Sequence, residues 1–248
     1  LRIYGYNNVE IPTQLKSSLT IPEIEDKEHR LENIIGEQLV GSGFNEIMNN
    51  SLTKTSYYND LNVYTEETTV NVMNPLSADL GVMRQTLLFG GLESIVRNAN
   101  RKMGNLRFFE FGNCYHYDAQ KHDENNPSKA YLEDYHLGLW VTGKRVEGSW
   151  AHTNEESTFY ELKAYVDNVL ARLGLPIGMT VIEKSQNNIF SSAIEIKGRD
   201  GKVYVEMGII SKSLQNRDDI FMPIYYADIH WTSVMKAIRK NKVEFTEI

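Results

Sequence analysis

Apolar residues recur at helical and strand spacings along most of this chain, and the spacing predicts its elements. Leu31, Ile34, Ile35 and Leu39 form one helical stripe. Pro22 suits the first turn of that helix. Glu23, Glu25, Asp26 and Glu28 crowd its positive end, and Gly41 and Gly43 stop it. A strand is expected over residues 44–52, with Thr53 capping a short helix that runs to Leu61. "TTVNVMNP" reads as a strand ended by Asn74-Pro75. Leu88, Leu92, Ile95, Val96 and Ala99 place a second long helix over residues 86–102. Gly90-Gly91 inside it costs about 2 kcal/mol relative to alanine. Either tertiary packing holds that turn or the helix starts after it.

Strands are predicted over residues 107–117 and 135–142, joined by a polar, mobile loop. Phe159, Leu162, Tyr165, Val166, Val169 and Leu170 mark a third long helix, capped by Ser157 or Thr158 and ended by Gly174. Three strands follow, over residues 180–183, 193–197 and 203–210, the last two joined by a hairpin turn at "RDG". "PIYYADIHW" is a final strand, and a short helix runs on to about Ile238. Strands that pair with sequence neighbours through short turns imply an α+β fold: a mostly antiparallel sheet flanked by helices.

The 248 residues allow one large domain or two small ones, and a hydrophobic content of 41% supports a sizeable core. A net charge of -7 argues against nucleic acid as the dominant partner. Cys114 is the sole cysteine, so an internal disulfide is excluded, which suits a reducing compartment. It reads as a small buried hydrophobe, and Trp140 and Trp150 as core or domain-edge packing. No apolar run approaches the roughly 20 residues a membrane span needs. The chain begins at Leu1 with no signal-peptide pattern, and is expected to be a piece of a longer polypeptide.

Two chemical signals are weighed against bland ones. Arg97, Arg101, Lys102 and Arg107 occur in a stretch free of acids and could meet tRNA phosphate or an acidic partner face. Equally, they could be a solvated helix end. The histidines (His29, His116, His122, His136, His152, His230) show no paired metal spacing, so no metal site is assigned. "VGSGF" follows a helix and is a helix stop, not a phosphate loop.

The stretches "NPLSADLGVMRQTLLFGGLESIVRNANRK", "LRFFEFGNCY", "SWAHTNEESTFYELKAYVDNVLARLG" and "GIISKSLQNRDDIFMPIYYADIHW" come in one order that resembles the class II aminoacyl-tRNA synthetase core. More closely, the chain resembles the class II-like core of bacterial phenylalanyl-tRNA synthetase beta subunits. The resemblance implies an exit segment and linker over residues 1–20, the core over 21–242, and from 243 to 248 the start of a linker to an anticodon-binding domain. Catalytic class II enzymes hold the ATP alpha-phosphate with an arginine, a bidentate permanent cation. Here His116 stands at that position and Asp118 at the following acid. "YYADIHWTSVMKAIRK", at the third class II motif, lacks glycine, and its only arginine, Arg239, comes late. After Arg84 and Thr86 come the apolar Leu87, Leu88 and Phe89.

The expectation is therefore a non-catalytic core with no catalytic residue and no cofactor of its own. The holoenzyme implied by the resemblance uses ATP and magnesium in the cytoplasm. Its partners are the alpha subunit and a second beta subunit in a two-alpha two-beta assembly, with a weak tRNA contact. The stripe of Leu31, Ile34, Ile35 and Leu39 would serve the subunit interface, or only cover its own sheet. Two alternatives stay open. One is a stand-alone adenylate-forming ligase in which Arg84 or Arg107 reaches ATP. The other is an RNA-binding module built on Arg97 to Arg107.

Overall fold

The computed structural model describes residues 2–9, 24–175, 177–217 and 220–238. The expectations for Pro22, Glu23, Arg239 and the segments around the two predicted linkers fall wholly or partly outside these residues, as do the side chains of Glu25 and Asp26.

Among the described residues the predicted helices are α1 (Ile24–Gly41), α2 (Leu88–Ala99), α3 (Phe159–Arg172) and α5 (Trp231–Ile238), and a short helix that the sequence did not predict, α4 (Lys212–Arg217), precedes the last strand. Thr158, not Ser157, caps α3, its side chain accepting from the Glu161 amide at 3.3 Å. Gly174, at φ +82°, turns the chain away after α3. The strands are β1 (Asn45–Glu46), β2 (Leu52–Thr53), β3 (Val82–Met83), β4 (Leu106–Tyr117), β5 (Tyr131–Thr142), β6 (Lys144–Val146), β7 (Glu155–Glu156), β8 (Thr180–Lys184), β9 (Phe190–Gly198), β10 (Val203–Ile210) and β11 (Ile224–Ile229). Seven of them form one sheet in the order β1-β4-β5-β11-β10-β9-β8. β1 lies parallel to β4, and the other pairings are antiparallel.

Three local expectations are corrected. The strand predicted over residues 44–52 stops after Glu46, because the Asn49 amide and side chain turn to the Glu110 carboxylate (3.2 and 2.6 Å). Thr53 caps nothing: it lies in β2, opposite Val82, and a single 3₁₀ turn (Thr55–Tyr58) follows. "TTVNVMNP" contributes only a bridge from Asn71 to Val82. The polar stretch after β4 is built from two 3₁₀ turns, Ala119–Lys121 and Pro127–Ala130, and its ends are joined by a hydrogen bond from the Asp118 amide to the Ala130 carbonyl at 2.8 Å.

Register decides what each face of the sheet carries, since alternate residues point to opposite sides. One face presents Phe109, Leu137, Leu139, Val205, Met207 and Ile229, and α1, α3 and α5 pack Ile35, Val166 and Trp231 onto it. The opposite face is divided. At one end Phe108, Trp140 and Tyr226 meet Leu88, Leu92 and Ile95 of α2. Gly91 makes that approach possible, since a Cβ there would fall inside the Trp140 indole. The glycine pair thus sits within α2, held by packing, and its helical cost is offset by burial of the indole. At the other end of this face the side chains are ionisable.

Candidate functional site

The ionisable end is dictated by pairing. Gly112 on β4 stands opposite His136 on β5, Cys114 opposite Asp134, and His116 opposite Leu132. Gly138 on β5 stands opposite Asp228 on β11, Asp228 opposite Glu206 on β10, and Glu206 opposite Glu195 on β9. A row of histidines and carboxylates therefore crosses five strands on one side of the sheet. It opens on a cavity of about 520 Å³ lined by His116, Asp134, His136, Glu195, Glu206 and His230, with Tyr64, Gln85 and Asn187 among its other walls. Among the described residues lining it there is no lysine or arginine.

The buried groups are partly satisfied. His136 donates from Nδ1 to Asp228 Oδ1 at 2.6 Å, and the His136 and His230 rings lie 4.6 Å apart. Burial depresses the His136 pKa, but Asp228 outweighs it and the net shift is upward. For Asp228, burial raises the pKa, and His136 more than reverses it. Burial pushes His230 down to about 4, and it lowers His116 as well. Glu206 accepts from Ser185 and, at 2.8 Å, from Asn187 Nδ2, yet burial still raises its pKa. Asp228 Oδ2 has no hydrogen-bond partner among the described residues.

His116 lines the cavity and is half-buried. Asp118 does not join it: its carboxylate accepts from the Gln120 amide at 3.1 Å and pairs with Lys121 at 3.2 Å. Arg84 is buried and bound. Its Nη1 meets Glu110 Oε1 at 2.6 Å, and its Nε donates to the Asn113 carbonyl at 2.9 Å. Gly112 leaves the space that the guanidinium fills.

Arg107 is separated from the other basic candidates. It sits on the opposite face of β4, where Nη2 pairs with Glu161 of α3 at 3.0 Å. Arg97, Arg101 and Lys102 remain exposed along and after α2. Arg97 lines a second cavity, of about 420 Å³, with Lys54, Asp79 and Glu93. Both arginines invoked for an ATP clamp are held by glutamates and neither lines the 520 Å³ cavity, whereas Arg84 lines the 420 Å³ one beside Lys54 and Arg97. Of the proposed interface stripe, Ile35 and Leu39 are corrected to core: they are buried in this chain's own sheet packing. Leu31 and Ile34 stay partly exposed. Trp140 is buried, whereas Trp150 is wholly exposed.

The family described as the phenylalanyl tRNA synthetase beta chain CLM domain matches residues 11–231. The chain belongs to that family. It is 55% identical over its full length to a phenylalanine–tRNA ligase beta subunit of Bacteroides thetaiotaomicron, and 43% identical to one of Porphyromonas gingivalis. The chain spans about 30% of the length of each of these relatives. The crystal structure of pyrrolysyl-tRNA synthetase from Desulfitobacterium hafniense superposes with a TM-score of 0.62 at 16% identity, covering 86% of this chain and 69% of that one. That likeness shows the class II synthetase fold.

His136, Asp228 and His230 escaped the sequence reading because 92 residues separate His136 from Asp228. A signal existed nonetheless. Asp134-x-His136 and Asp228-x-His230 repeat a spacing of two, which on strands turns both residues to one face. Among the described residues no helix is long and apolar enough to cross a membrane.

Proposed function

We propose that this chain is the catalytically silent class II-like core of a cytoplasmic phenylalanyl-tRNA synthetase beta subunit. It supports ATP-dependent attachment of phenylalanine to tRNA by buttressing a catalytic alpha subunit and organising a two-alpha two-beta assembly. The observation that carries this reading is the cavity on the ionisable face. Adenylate formation needs fixed cations where phosphate charge develops. Here that face offers His116 among carboxylates, while Arg84 and Arg107 are neutralised by Glu110 and Glu161. The wall supplies no lysine or arginine among the described residues to hold a polyphosphate. Leu31 and Ile34 of α1 remain for a partner helix, and Arg97, Arg101 and Lys102 form a cationic end open to tRNA phosphate or an acidic partner face.

The test uses the full-length beta subunit assembled with alpha. His116→Ala and Asp134→Asn should leave phenylalanine-dependent ATP–pyrophosphate exchange within about twofold of wild type, a barrier change below about 0.5 kcal/mol. A loss of tenfold or more in a correctly assembled complex would overturn silence and move the adenylate-forming alternative forward.

A further inference from the structure

We infer that His136, Asp228 and His230 form a site for a divalent transition-metal ion, zinc by its donor chemistry, with an open position toward the cavity. The ligand atoms of the three side chains all lie within 4.8 Å of one another. Zinc bonds of about 2.0–2.1 Å in a tetrahedron put ligand atoms roughly 3.3 Å apart. The 2.6 Å contact between His136 and Asp228 is shorter than such an edge. Closing the set around an ion therefore takes ångström-scale side-chain rotations and no strand movement.

An independent observation points to a missing partner. Asp228 is 2% exposed, and its Oδ2 has no partner within hydrogen-bonding geometry among the described residues, although the Tyr226 hydroxyl two residues away also favours its charged form. A buried carboxylate oxygen left in that condition is costly, and a cation would satisfy it. The cavity provides the remaining requirement. His136 and His230 both line it, so a water can complete the coordination.

Two imidazoles and one carboxylate suit zinc and its neighbours, not magnesium or calcium, which prefer all-oxygen shells. The ion would join the middle of β5 to the β11–α5 junction. There the His230 carbonyl accepts from the Ser233 and Val234 amides, both at 3.0 Å, at the start of α5.

The test is metal content in the assembled full-length enzyme, stripped with chelator and re-equilibrated with zinc alone. Wild type should hold one more zinc per copy of this chain than His230→Gln, a variant that keeps a hydrogen-bonding side chain. His116→Ala, in the same cavity but outside the donor set, should keep that zinc. Cobalt in place of zinc should give the visible absorption of a tetrahedral site in wild type and not in His230→Gln. Equal zinc in wild type and a folded His230→Gln overturns the site and leaves an ordinary buried His–Asp pair. Should the variant not fold, absence of the cobalt band in wild type overturns it. The readout is metal, not aminoacylation, so its failure leaves the silent-core reading untouched.

Discussion

The two faces of the seven-stranded sheet are built from the same strands and meet opposite demands. The face under α1, α3 and α5 buries hydrocarbon, with Leu137, Leu139, Val205 and Ile229 all inaccessible to solvent. The other face starts as hydrocarbon beneath α2 and ends as ionisable groups around a cavity. Hydrocarbon needs only volume and a cover. Ions need named partners: Glu110 for Arg84, His136 for Asp228, Ser185 and Asn187 for Glu206. An apolar face can be closed by any helix with a matching stripe. An ionisable face is shaped like a site by the partners its ions require.

That contrast can be broken from either side. The largest effect should come from orphaning an ion. Arg84→Met leaves the Glu110 carboxylate buried beside an apolar side chain and should cost about 4 kcal/mol in urea unfolding. Leu139→Ala, in the hydrocarbon face, should cost about 3 kcal/mol, with the loss following the cavity it leaves. A cost for Arg84→Met below that of Leu139→Ala would show that the ionisable face relaxes or hydrates more readily than its burial implies. Gly91→Ala should cost about 2 kcal/mol by driving a methyl into Trp140, and combining it with Trp140→Leu should recover part of that loss.

Glu206→Gln sharpens the comparison through pH. Burial raises the Glu206 pKa, so the folded state holds its proton more tightly than the unfolded chain does. Its contribution to stability is fully present below the unfolded carboxyl pKa and is lost as pH rises through the raised folded value. The variant should therefore gain on wild type as pH is raised from about 4 to 7. A difference that stays flat with pH would show that the Glu206 charge is fully compensated in the fold. Smallest of all, Arg101→Gln on the exposed end of α2 should change stability by less than about 0.5 kcal/mol. Whatever it does to tRNA binding is then a contact effect, read as a change in salt dependence.

The helical stripes were legible because a period of 3.6 needs only one segment to be seen. α1, α2, α3 and α5 lie where their apolar residues place them, and the long strands β4 and β10 do likewise, whereas β5 starts at Tyr131, four residues inside the stretch expected to be loop. The short pairs were not. Leu52 looks like the end of a longer strand and Thr53 like a helix cap until Asn49 is pulled aside by Glu110, a residue 61 positions away. The candidate site divided the same way. His116 could be singled out because a motif surrounds it. Asp118 failed as its companion because the chain leaves the sheet at Tyr117 and the carboxylate caps a turn instead.

Sequence alone determined the α+β class, the positions of α1, α2, α3 and α5, the lack of an internal disulfide and the absence of an arginine at position 116. These follow from local spacing, from counting, and from a residue's own chemistry. Only the tertiary structure decided that Arg84 and Arg107 are bound to glutamates on opposite faces of the sheet. The same holds for Ile35 and Leu39, which belong to the core, and for His136, which meets Asp228. Each of those facts depends on strand register. A shift of one residue turns every side chain of a strand to the other face, and pairing across the whole sheet fixes that register.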